Sequence, residues 1–101
     1  MTLARLSPEA RRDLLSAVAW IAEDSPAAAK DFRLAVDRAL SMLASHPEAG
    51  RVRLELTNLP VRFMPMRQFP YVLIYEPNPR PPSVVRILHG ARDLAELLRD
   101  S

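Results

Sequence analysis

Tyr71-Val72-Leu73-Ile74-Tyr75 is an unbroken run of β-branched, aliphatic and aromatic residues. A strand polar on one face would alternate; this one does not, which makes it the best candidate for a central strand. Downstream, Pro77-Asn78-Pro79-Arg80-Pro81-Pro82 predicts a stiff loop, and Val84–His89 a last strand with Val85 and Ile87 on one face and Arg86 on the other. Upstream, Val61–Arg67 predicts a strand in which Pro65 lacks a ladder donor, which places it at an edge or a bulge. Before it, Val52, Leu54 and Leu56 alternate with Arg53, Glu55 and Thr57, the period of a half-buried strand. After Gly90, Asp93-Leu94-Ala95-Glu96 has the spacing of a capping box, with Asp93 as the cap of a short C-terminal helix.

The other half of the chain reads as helix. Thr2–Leu6 is a short apolar segment that predicts a first strand. Ser7-Pro8-Glu9 then supplies a side-chain cap, a proline suited to the first helical position and a carboxylate at the positive end of the dipole. Ala10, Leu14, Val18 and Ile21 form one helical stripe, widened by Leu15 and Ala22. Ser25-Pro26 repeats the start signal, so the first helix ends near Asp24. The second stripe runs through Ala28, Phe32, Val36, Ala39, Leu40 and Leu43, and His46-Pro47 stops it. Two amphipathic helices joined by a tight turn make an antiparallel hairpin whose apolar side needs a sheet. The expected fold is therefore α+β: β-α-α-β-β-β, a helical hairpin packed on a mostly antiparallel sheet, with a short C-terminal helix, in one domain over residues 1–101.

Charge is distributed unevenly. Residues 1–50 carry six basic and seven acidic side chains, whereas residues 51–92 carry seven arginines against Glu55 and Glu76. Lys30 is the sole lysine. A basic half of this kind implies an acidic partner, either a nucleic acid or an acidic peptide. The absence of cysteine excludes disulfides, thiolate zinc sites and a cysteine nucleophile. With only Gly50 and Gly90 there is no glycine-rich phosphate loop, and with only His46 and His89 no metal motif, so no cofactor or metal is expected. No apolar stretch is long enough for secretion or membrane spanning, which implies a cytoplasmic protein without a membrane partner.

Few residues invite chemistry. The sheet face away from the hairpin has no predicted cover, and Arg62, Arg86 and Arg53 are candidates to occupy it. His89 lies beside Gly90 and Arg92, where it is either a general acid–base or a strand-end residue bonded to backbone. His46 reads as a helix-end cap. Trp20 reads as a packing residue, and Met64 and Met66 as core filling or an adaptable binding surface.

Three segments of the first half, Leu6-Ser7-Pro8-Glu9-Ala10 with Asp13-Leu14, Ser25-Pro26-Ala27-Ala28-Ala29 with Phe32, and His46-Pro47-Glu48-Ala49-Gly50-Arg51, resemble RelE/ParE toxins of type II toxin–antitoxin systems. Phe69-Pro70-Tyr71-Val72-Leu73-Ile74-Tyr75 and His89-Gly90-Ala91-Arg92-Asp93-Leu94 resemble the ParE-like branch. The resemblance spans essentially the whole chain and implies the same hairpin-on-sheet fold. RelE-type members cleave mRNA on the ribosome with basic sheet residues and a C-terminal tyrosine; ParE-type members poison DNA gyrase. Here Arg92 matches an arginine common to both branches, but the tyrosine position falls on Leu98, an expected arginine on Val72, and expected lysines near Phe63 and Pro65. The resemblance thus implies a gyrase poison that binds its target through Arg62, Arg86, His89, Arg92, Leu94 and Leu98 rather than an enzyme. The alternative is a ribosome-dependent endoribonuclease built on Arg62, Arg86, His89 and Arg92. Either way it implies a cognate ParD-like antitoxin, with a DNA-binding N-terminal part and an acidic or amphipathic tail meeting Trp20, Phe32, Arg53, Met64 and Met66. Sequence-specific DNA binding is then left to the antitoxin.

Overall fold

Ser7 and Ser25 each begin a helix in the same way. The Ser7 hydroxyl accepts from the Ala10 N–H at 3.0 Å and opens α1 (Pro8–Asp24); the Ser25 hydroxyl accepts from the Ala28 N–H at 3.1 Å and opens α2 (Pro26–Ser45). Ser25 also closes α1, its own N–H donating to Ile21 O. One residue therefore terminates one helix and starts the next, which folds them back on each other. At the far end the His46 N–H donates to Met42 O.

The remaining elements of the computed structural model, which describes residues 2–99 and, for Ala95 and residues 97–99, the backbone alone, are β1 (Arg5–Leu6), β2 (Arg62–Pro65), β3 (Tyr71–Glu76), β4 (Ser83–His89) and α3 (Gly90–Arg99). The sheet order is β1-β4-β3-β2, with β1 parallel to β4 and the other pairs antiparallel. β3 is interior, and β2 with its Pro65 is an edge, as the sequence predicts. β1 is shorter than expected because the Ala4 N–H turns to Leu40 O on α2 instead of to a neighbouring strand.

Alternation along β3 divides the core into two. Tyr71, Leu73 and Tyr75 face the hairpin and meet Leu14, Phe32, Val36 and Leu43, joined by Val84 and Ile87 of β4. Val72 and Ile74 face the other way and meet Phe63, Leu88, Leu56 and Val61, with Leu94 of α3 against them. The second face is thus covered, contrary to the sequence reading. Its cover comes from the segment expected to be a strand at Val52–Leu56. Only Arg51 forms a bridge, to Phe63; the chain then turns, leaving Leu54 71% exposed and folding Leu56 and Val61 under the sheet. Alternating apolar residues look alike in a strand and in a loop that dips twice into a core.

A bulge corrects a second expectation. Tyr75 pairs with Val84 and Ile74 with Arg86, so Val85 is extra, and Val85 and Ile87 end on opposite faces. The backbone groups released there are taken up by α1. Ser7 Oγ donates to Val85 O at 2.9 Å, and the Ile87 N–H donates to Asp13 Oδ2 at 2.9 Å.

Gly50 sits where the chain leaves α2. A Cβ there would lie 2.7 Å from the Tyr75 ring, so only glycine permits the approach in which its N–H donates to the Tyr75 hydroxyl at 2.8 Å. That hydroxyl in turn donates to Pro47 O at 2.7 Å.

Candidate functional site

At the junction of β4 and α3, helix α3 starts earlier than the sequence suggests, at Gly90, because the cap is His89 and not Asp93. His89 Nδ1 accepts from the Arg92 N–H at 3.2 Å, while the His89 N–H donates to Asp93 Oδ2 at 2.7 Å. This is the reciprocal logic of a capping box, with the imidazole in the place of a serine and the carboxylate one residue further on. Arg92 Nε donates to Asp93 Oδ1 at 2.9 Å. Burial works against the charge on Asp93, but the bonds from Arg92 and the His89 N–H outweigh it and hold the carboxyl below its ordinary range.

The aromatic residues continue inward from this junction. The His89 ring stands edge-on to Tyr71 at 5.4 Å between centroids, Tyr71 packs on Phe32 at 5.0 Å, and Phe32 meets Phe69 at 5.2 Å. The Arg92 guanidinium lies 5.8 Å over the ring of Trp20, which is 60% exposed on α1. Asp13, Trp20, Tyr71, Arg92 and Asp93 line one niche.

Arg86 reaches this neighbourhood from the bulge. It donates through Nε and Nη2 to the two oxygens of Asp13 at 2.7 and 3.1 Å, and that hydrogen bonding raises its pKa further. Arg62 lies elsewhere. It faces the hairpin side of the sheet, where Nη1 donates to Gly50 O at 2.8 Å. Arg62 pairs with Tyr75 and His89 with Tyr71, four residues apart along β3, a separation of about 13 Å. The structure therefore gathers His89, Arg92 and Arg86 but not Arg62. Arg53 pairs with Glu55 at 2.8 Å, which holds that carboxyl low, and lies over Phe63.

Of the remaining sequence candidates, Phe32 is fully buried in the core, so it is a packing residue and not a contact available to a partner. Leu94 is half-buried against the second core, and the side chain of Leu98 lies outside the described residues. Met64 and Met66 line a groove of about 380 Å³ between β2 and α2, with Ala35, Ala39, Met42 and Phe69 on its walls and Arg38 and Arg67 beside them. Sequence reasoning passed over Asp13 and the Tyr71 hydroxyl. Asp13 reads as one more charge on a solvated helix face, and nothing in its spacing reports a bond to a strand more than seventy residues away. Among the described residues no cluster of histidine and carboxylate side chains could hold a metal ion, and no helix is long and apolar enough to cross a membrane.

A helical hairpin laid on one face of a small mixed sheet, closed by a helix after the last strand, is the architecture of a toxin fold. Residues 4–94 match the family described as the ParE toxin of the type II toxin-antitoxin system, parDE, and the chain belongs to that family. Its fold is similar to a chain of the chromosomal ParDE toxin–antitoxin system from P. aeruginosa, with a TM-score of 0.69 over 88% of this chain and 96% of that one, at 16% identity. No curated relative matches in sequence.

Proposed function

We propose that this chain is a toxin that acts by binding DNA gyrase, not by cleaving RNA, and that a ParD-like antitoxin with an acidic, amphipathic tail neutralises it. The observation that carries the reading is the condition of the candidate nuclease residues. Arg62 is bonded to the Gly50 carbonyl, Arg86 to Asp13, Arg92 to Asp93, and His89 caps a helix. Phosphoryl chemistry needs cations converging on one phosphate and a base free to move a proton. Arg62 lies apart from the other three and all four are already engaged, so the sheet serves better as a binding scaffold.

For the antitoxin, the groove between β2 and α2 is the favoured seat. It combines flexible methionines, an apolar floor and two arginines. Trp20 and Arg53 lie outside that groove.

The test is a supercoiling assay with purified gyrase, scored for inhibition and for accumulated cleaved DNA, run beside an mRNA cleavage assay on translating ribosomes. Gyrase inhibition with linearised plasmid and intact mRNA is the expected result. Ribosome-dependent cleavage abolished in a folded His89→Asn variant, with gyrase unaffected, would overturn the proposal.

A further inference from the structure

The niche between α1 and the β4–α3 junction has an orphan at its base. Tyr71 is 4% exposed, yet its hydroxyl makes no hydrogen bond among the described residues. This is unlike Tyr75, whose hydroxyl both donates and accepts within the fold. A buried hydroxyl without a partner destabilises the state that contains it, so it marks a position where something from outside is expected to bind. The Arg92 guanidinium lies near the hydroxyl and interacts with it electrostatically. Its Nε and Nη2 are directed to Asp93, which leaves Nη1 outside that pair.

The niche, about 190 Å³, also has Asp13 and Asp93 in its wall. Both are already engaged: Asp13 accepts from Arg86 and the Ile87 N–H, and Asp93 from Arg92 and the His89 N–H. A cationic ligand would meet Arg92. What the niche lacks is an acceptor, and Arg92 favours one that is negatively charged. We propose that the niche binds a carboxylate carried by a partner polypeptide, one oxygen accepting from the Tyr71 hydroxyl and the other from Arg92, with an apolar neighbour of the acidic residue against the exposed Trp20 ring. One planar, singly charged group fits between two paired carboxylates; a dianionic phosphate brings a second charge against them. This goes beyond the gyrase and antitoxin reading, since it specifies a chemistry and not which protein supplies it.

Trp20 is the only tryptophan, so its fluorescence reports on the niche alone. The folded protein would be titrated with a capped Glu-Leu dipeptide, its Gln-Leu counterpart, inorganic phosphate and sodium chloride. A saturable change with the glutamate peptide is expected, with little from the other three, and Tyr71→Phe should weaken it about fivefold. In parallel, the urea midpoint of Tyr71→Phe without ligand should be unchanged or raised, because the hydroxyl removed has no partner. An equal response to the glutamine peptide or to chloride, tighter binding of phosphate, or no saturable response overturns the proposal. So does a lowered midpoint for Tyr71→Phe, which would mean that the hydroxyl is already satisfied.

Discussion

Tyr75 donates to Pro47 O and accepts from the Gly50 N–H, and burial pushes its pKa up. Replacement by phenylalanine removes both bonds and leaves two backbone groups facing an apolar ring. Tyr75→Phe is expected to lose about 1–3 kcal/mol of stability, read as a lower urea midpoint at unchanged slope. His89 makes a different kind of prediction, because its ring acts as a cap. His89→Asn keeps an acceptor for the Arg92 N–H, whereas His89→Ala deletes it and should cost about 1 kcal/mol. Equal stabilities of the two variants would show that the imidazole acceptor does not hold α3. Asp93 adds an acid dependence. Its folded-state pKa is depressed, so its contribution is complete above the unfolded carboxylate value, about 3.9, and is lost as pH falls through the lower folded value. The protection of amides at the start of α3, relative to their intrinsic exchange, should therefore fall in that acid window, and an Asp93→Asn variant should lack the transition.

Among the elements, α1 is held to β4 by a short set of polar contacts that differ in worth. The Arg86 side chain is 47% exposed and that of Asp13 17%, so the ion pair itself is screened. Asp13 in addition accepts from the Ile87 N–H. Asp13→Ala leaves that N–H and the guanidinium without their acceptor and is expected to cost about 2–3 kcal/mol, against less than about 1 kcal/mol for Arg86→Ala. Equal losses, measured by chemical denaturation, would mean that the backbone bond contributes nothing. The helices, β3 and the edge position of β2 were legible in the sequence because serine–proline starts, helical stripes and a continuous apolar run are local signals. The bulge at Val85 and the turn that carries Leu56 under the sheet were not legible. Each depends on partners distant in sequence, Ser7 and Asp13 for one and Phe63 and Ile74 for the other. The geometry of the candidate site was only partly legible for the same reason. His89 and Arg92 adjoin in sequence and remain together, but their contact with Trp20 and Tyr71 depends on how α1 crosses β4.

Across the whole molecule, the methionine-lined groove and the Trp20–Arg92 niche are built from different parts: β2 with α2 for the groove, α1 with the β4–α3 junction for the niche. Antitoxin capture in the groove is therefore expected to separate by mutation from gyrase binding at the junction that gathers Arg86, His89 and Arg92. Met66→Glu places a charge on the groove wall and should weaken antitoxin binding at least about tenfold. Gyrase inhibition by the same variant should persist, as read by calorimetry beside supercoiling assays. Parallel loss of both activities in a folded variant would place both partners on one surface. The clamp on the β4 bulge also sets an order of events during synthesis. The helical hairpin is synthesised before Val85, Arg86 and Ile87 exist to receive it, and at roughly 5–20 residues per second its apolar face waits on the order of seconds. For that interval the nascent chain carries a helical hairpin whose apolar face has no sheet to cover it.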